Sequence, residues 1–153
     1  MSRAFVKEDA AALEELPDRP ISTHPNDVTP QGMIHLESML NDARKAHAVA
    51  LAAQDRDAMA RASRELRYWS ARRASAHVIP DPTERTHVRF GSSVTILRSD
   101  GREQTFQIVG EDQADPARGT ISHVSPLARS LVGKSVGAVV KLGKGEAEIK
   151  YIQ

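Results

Sequence analysis

The chain has 153 residues, a formal net charge of +1 and no cysteine, which suits one ordinary domain or two small ones and excludes disulfides and thiolate metal sites. No apolar run approaches the ~20 residues of a membrane-spanning helix, and the opening "MSRAFVKEDAAALEEL" lacks the basic and apolar regions of a secretory signal. A soluble, cytoplasmic protein with no membrane partner is the expectation. Charge is unevenly spread: residues 1–28 hold six acids and three bases, residues 29–79 five and eight, and residues 80–153 nine and ten. A basic middle segment suits either a nucleic-acid or acidic-protein contact or a solvated helix face.

Residues 1–28 read as an extended N-terminal arm. Pro17, Pro20 and Pro25 break any helix there, although a short helix over Lys7–Leu16 fits the residues before them. Residues 29–79 then read as a helical hairpin. Thr29 is a good N-cap and Pro30 a good first residue. Met33, Leu36, Leu40, Ala43, His47 and Ala50 follow at helical spacing. After "AAQDRD" a second helix places Met59, Ala62, Leu66 and Trp69 on one face and stops before Pro80. A short polar turn joins the two as an antiparallel pair whose alanine-rich seam allows close packing. Each arm is about 30–35 Å long at 1.5 Å per residue.

Past "IPDPTE" the pattern changes to short alternating runs. "SVTIL" and "TFQIV" flank an Asp100-Gly101 hairpin turn, and "VVKL" and "AEIKYI" flank "GKG". Between these pairs "ADPARG" is a turn. "ISHVSPLARSLVGK" encodes a strand end and a short helix, with Ser125 as N-cap, Pro126 first and Gly133 as the stop. Residues 80–153 therefore read as an antiparallel sheet with one short helix, and the whole chain as α+β.

Most catalytic motifs are missing. "LVGKS" ends like a phosphate-binding loop, but Ala128 stands where that loop needs glycine, and Gly133 closes a helix rather than opening one. The histidines at 24, 35, 47, 77, 87 and 123 form no zinc-ligand spacing, and there is no G-x-S-x-G elbow. Arg61, Arg64 and Arg67, with Arg56, Arg72 and Arg73 nearby and Tyr68 and Trp69 interleaved, form a candidate basic patch facing nucleic acid. The alternative is a solvated face, with Trp69 in the core. Asp55 and Asp57 at the hairpin tip are candidate Mg²⁺-facing acids. Two apart, they diverge within a helix but could share a cation in a turn. Equally, Asp is a favoured N-cap and complements the helix dipole.

From Val88 onward, "FGSSVTI" (Phe90–Ile96), "IVGEDQADPARGTIS" (Ile108–Ser122) and "SPLARSLVGKSVGAVV" (Ser125–Val140) resemble the C-terminal domain of the bacterial Gre transcription elongation factors, GreA and GreB, in order and spacing. "TPQGMIHLESML" and "LRYWSARRASAHVI" resemble that family's two helices. The resemblance implies an N-terminal coiled coil and a C-terminal FKBP-like domain in residues 80–153. It implies binding to RNA polymerase at the rim of its secondary channel through Ser125, Pro126 and Leu127, with the hairpin directed inward and nascent RNA as a second candidate contact. The polymerase remains the enzyme, and no cofactor is bound beyond a Mg²⁺ shared in its active site, toward which tip acids would point. This tip lacks the family's Glu-Asn-Ala block, however, and each arm is about eight residues, or about 12 Å, shorter than the family pattern. Carboxylate–Mg²⁺ distances near ~2 Å make that deficit matter. The resemblance thus leaves two functions, a stimulator of transcript cleavage and a non-cleaving competitor in the channel. Prolyl isomerisation is a third, built on Phe90, Phe106 and Tyr151, and fold alone argues for it weakly.

Overall fold

The computed structural model describes residues 16–153, so most of the helix expected over Lys7–Leu16 lies outside the described residues. Residues 16–21 with Leu36–Ala74 form one compact unit, and Ser22–His35 with Ser75–Gln153 form the other.

In the first unit, helix α1 (Pro30–Ala52, its first six residues belonging to the second unit) is followed by helix α2 (Arg56–Ser75). The expected spacing is realised: Leu36, Leu40, Ala43 and Ala50 are buried on α1, and Ala62 and Trp69 on α2. The helices are antiparallel. Residues 53–55 join them at one end, and Arg73 pairs with Glu37 at 3.1 Å at the other. An open surface groove of about 370 Å³ runs beside the seam, lined by Met39, Ala43, Ala62 and Trp69 together with Asp42, Arg61 and Glu65.

The second unit holds a five-stranded sheet: β3 (Ser93–Arg98), β4 (Glu103–Val109), β5 (Thr120–Ser122), β6 (Val139–Leu142) and β7 (Gly145–Ile152), in spatial order β5-β4-β3-β7-β6. Two hairpins carry the antiparallel pairs β3–β4 and β6–β7, and β3 also pairs antiparallel with β7. The expectation of a wholly antiparallel sheet is corrected at one edge, where β5 runs parallel to β4, Gln107 facing Thr120 and Val109 facing Ser122. Residues 110–119 turn the chain twice instead of once. Asp115 caps a 3₁₀ turn over Pro116–Arg118, and Gly119 follows at φ +81°, so β5 re-enters in the direction of β4.

Alternation along the strands buries one face. Val94, Ile96, Ile108, Val140, Ala147, Ile149 and Ile152 meet Ala128 and Leu131 of helix α3 (Pro126–Leu131) in a single core. A register shift between Thr95 and Ile96 sets Ile96 opposite Ile149, which keeps both side chains inside. The sequence did not suggest a further two-residue parallel pair, β1 (Asp27–Val28) with β2 (His77–Val78). Strands this short carry no periodicity. Backbone geometry fixes the segment before α1: Thr29 Oγ1 accepts from Gly32 N at 2.9 Å and donates to Gln113 Oε1 at 2.6 Å. A side chain at Gly110 would put its Cβ 2.5 Å from the Asp27 carbonyl oxygen, so glycine is required there by close approach.

Candidate functional site

The hairpin tip is a compact two-way cap. Gln54 N donates to Leu51 O and Asp55 N to Ala50 O, both at 3.1 Å, the pair of bonds that closes a helix when the residue after it is left-handed. Gln54 has that conformation, at φ +52°. Asp55 then starts α2. Its Oδ1 accepts from Ala58 N at 3.1 Å and its carbonyl oxygen from Met59 N at 2.9 Å. Asp57 lies in the first turn of α2, where a negative charge complements the helix dipole. The two acids thus serve the turn and the helix start. One Asp55 oxygen is committed to the cap, and no cluster of three or more histidine or acidic side chains that could hold a metal ion by itself occurs among the described residues. The surface beside it is apolar, with Val49 69% and Leu51 55% exposed.

The arginines of α2 do not share one environment. Arg67 Nε pairs with Asp18 at 2.5 Å. Arg64 is half-buried, its Nε without a hydrogen-bond partner among the described residues. Arg61 is exposed beside the seam groove. Arg72 is buried, and Arg73 is taken by Glu37. Trp69 is a core residue, with Tyr68 edge-on to it at 4.9 Å between ring centroids. Sequence reasoning missed how the end of the arm is held. The Arg19 guanidinium lies 3.7 Å from the Tyr68 ring centroid and pairs with Glu65 at 2.8 Å, while Trp69 Nε1 donates to the same carboxylate. Opposite charges on "PDRP" and "RELRYW" were the available signal.

In the second unit, Ser125 caps α3, its Oγ accepting from Ala128 N at 3.2 Å. Pro126 follows, exposed, at the first helical position. Gly133, at φ +82°, lies just past the helix end. Leu127 is half-buried against the core. Pro126 and Leu127 line a hollow of about 390 Å³ that also takes in Arg98, Ser130, Lys141 and Leu142. Neither cation was singled out from sequence, because β3 and β6 are distant in the chain. A second hollow of about 310 Å³ is lined by Asp27, Phe90, Ile108, His123, Arg129 and Val132. Burial pushes His123 below its ordinary pKa, against the opposing pull of Asp27 and Glu111. Its ring stands edge-on to Phe90, centroids 5.5 Å apart. Phe90 and Phe106 pack against the core while Tyr151 is 59% exposed, so these aromatics do not form the lined pocket that a prolyl isomerase requires.

Residues 82–152 match the family model described as transcription elongation factor GreA/GreB, C-terminal. The chain is 43% identical over 96 residues to a transcription elongation factor GreB of Neisseria meningitidis, covering 59% of each chain. It is 44% identical over 84 residues to a transcription elongation factor GreA of Helicobacter pylori, covering 52% of this chain and 51% of that one. The match therefore spans between half and three-fifths of these relatives' length. Among solved structures, the GreA factor homolog 1 (Gfh1) of Thermus thermophilus is 19% identical, covering 85% of this chain and 99% of that one, at a TM-score of 0.42. A GreA/GreB factor from Nitrosomonas europaea is 19% identical over 83% and 98%, at 0.43. Among the described residues no helix is long and apolar enough to cross a membrane.

Proposed function

We propose that the chain, whose residues 82–152 match the GreA/GreB C-terminal family model, is a cytoplasmic regulator that binds bacterial RNA polymerase at the rim of its secondary channel. The observation that carries this reading is the family match over the segment that builds the capped α3 and its exposed Pro126. Binding runs through Ser125, Pro126 and Leu127: the serine holds the helix start, and the proline and leucine offer apolar contact area. The chain is not itself the catalyst. The helical hairpin enters the channel as an occupant, and Arg56 and Arg61, both exposed on α2, are available to nascent RNA.

Of the two Gre-type activities, the non-cleaving one is supported by the tip. A factor that lends carboxylates to a catalytic Mg²⁺ needs them free and convergent, whereas one Asp55 oxygen caps the start of α2 and Asp57 lies two residues on in that helix, where side chains two apart diverge. The chain therefore modulates transcription by occupancy. The test is a backtracked elongation complex carrying labelled RNA. Added alone, the protein binds the complex and shortens no RNA beyond the polymerase's own rate. Added with a cleavage-stimulating Gre factor, it slows the shortening in proportion to its concentration. Failure to compete overturns the channel assignment. Shortening by the chain itself that is lost in Asp55→Ala/Asp57→Ala overturns the non-cleaving assignment.

A further inference from the structure

The hollow beside α3 has a composition that the family match does not explain. Its floor is apolar, from Pro126, Leu127 and Leu142, and two cations from separate strands stand at its edge, Arg98 at the end of β3 and Lys141 on β6. Arg98 is held in place by a hydrogen bond from its Nε to Gln104, and its terminal guanidinium nitrogens, two parallel donors suited to a carboxylate, are in no ion pair among the described residues. No carboxylate among the described residues forms an ion pair with either cation. Asp100, close enough to Arg98 to feel its charge, is held by Arg102, whose backbone N–H and Nε donate to its two oxygens at 3.0 and 2.8 Å. Glu146 is the cross-strand neighbour of Lys141, but no salt bridge joins them among the described residues. Ser130 gives its hydroxyl proton to the Leu127 carbonyl at 2.7 Å, so the floor presents no competing donor.

We propose that this hollow seats an acidic segment of RNA polymerase, with an apolar side chain against Pro126 and Leu127 and flanking Asp or Glu carboxylates on Arg98 and Lys141. The inference rests on the polymerase-binding reading above and extends it by naming the chemistry of the partner and two recognition residues. Charge complementarity selects the acidic partner. The apolar floor selects protein over nucleic acid, because a single-stranded nucleic-acid site pairs its cations with aromatic stacking surfaces, and no aromatic residue lines this hollow. Cations at the edge of an apolar contact act mainly on the rate of encounter and on its salt dependence.

The experiment measures association of the full chain with core RNA polymerase at low and high salt, for the wild type, Arg98→Glu/Lys141→Glu, Arg98→Gln/Lys141→Gln and the charge-keeping Arg98→Lys/Lys141→Arg. Circular dichroism verifies that each variant is folded. The expected result is association slowed about 10-fold or more at low salt for the reversed pair, a smaller loss for the neutral pair, a flatter salt dependence in both, and near-wild-type rates for the charge-keeping pair. Wild-type binding with all variants equal to it overturns this inference and leaves the polymerase reading standing. No wild-type binding overturns that reading, and this inference with it. If the reversed pair loses binding to a short single-stranded RNA but keeps polymerase binding, the hollow is a nucleic-acid contact and the proposal is wrong.

Discussion

Asp55 is the residue at which a structural and a metal-binding role make opposite demands, and two substitutions separate them. Asp55→Ala removes the bond from Ala58 N to Oδ1 and leaves that amide without its side-chain acceptor, at a cost of about 1 kcal/mol. Asp55→Asn removes the charge but keeps an oxygen at the same place, and asparagine caps about as well as aspartate. The cap account therefore predicts a loss of about 1 kcal/mol for alanine and almost none for asparagine. Gln54 adds a third arm. It holds φ +52°, where a side chain costs roughly 1 kcal/mol that glycine avoids, so Gln54→Gly should stabilise the hairpin by a few tenths of a kcal/mol or more after its own unfolded-state entropy is offset. The assay is amide hydrogen exchange at Ala58 and Met59, supported by far-UV circular dichroism melts. A cost of about 1 kcal/mol lowers protection of the Ala58 amide about 5-fold, while asparagine leaves it unchanged. Asparagine as damaging as alanine, or alanine without effect, would refute the capping argument.

Other consequences concern the sheet unit. Gly110→Ala drives a Cβ to within 2.5 Å of the Asp27 carbonyl oxygen, and since backbone cannot yield as a side-chain tip can, a loss of about 1–3 kcal/mol is expected; a denaturant midpoint equal to wild type would contradict it. His123 is held below its ordinary pKa chiefly by burial. The unfolded chain therefore binds its proton more readily, and stability should fall as pH drops through about 6.5 toward the lower folded value. In His123→Gln that part of the pH dependence, which sets in as pH falls through about 6.5, disappears, as denaturant titrations at several pH values would reveal; an unchanged slope contradicts the assignment.

Most of the architecture was legible because it rests on period and punctuation. Thr29-Pro30 and Ser125-Pro126 begin helices where a cap and a proline at the first position are expected, and α1 and α2 take 23 and 20 residues. The two hairpins lie where Asp100-Gly101 and "GKG" announce them. What escaped depends on contacts between residues far apart in the chain. β5 pairs parallel with β4 because of the path of residues 110–119, and the two-residue β1–β2 ladder is too short to leave a periodic trace. The basic run on α2 was legible as composition only. That Asp18 pairs with Arg67, and that Arg19 lies over Tyr68, is a tertiary fact. The tip aspartates show the same limit: spacing allowed both a cap and a metal-facing role, and the atomic geometry adds that Asp55 caps α2.

Binding of RNA polymerase through the α3 face, as proposed, is tested by equilibrium binding of the full chain to bacterial core RNA polymerase, compared with Leu127→Glu and Pro126→Ala. The account predicts saturable wild-type binding, a loss of about 10-fold or more for a charge placed in the apolar contact, and a smaller loss for Pro126→Ala. The Leu127→Glu variant must remain folded by circular dichroism. Binding of equal strength by a folded Leu127→Glu protein, or no wild-type binding, would contradict it.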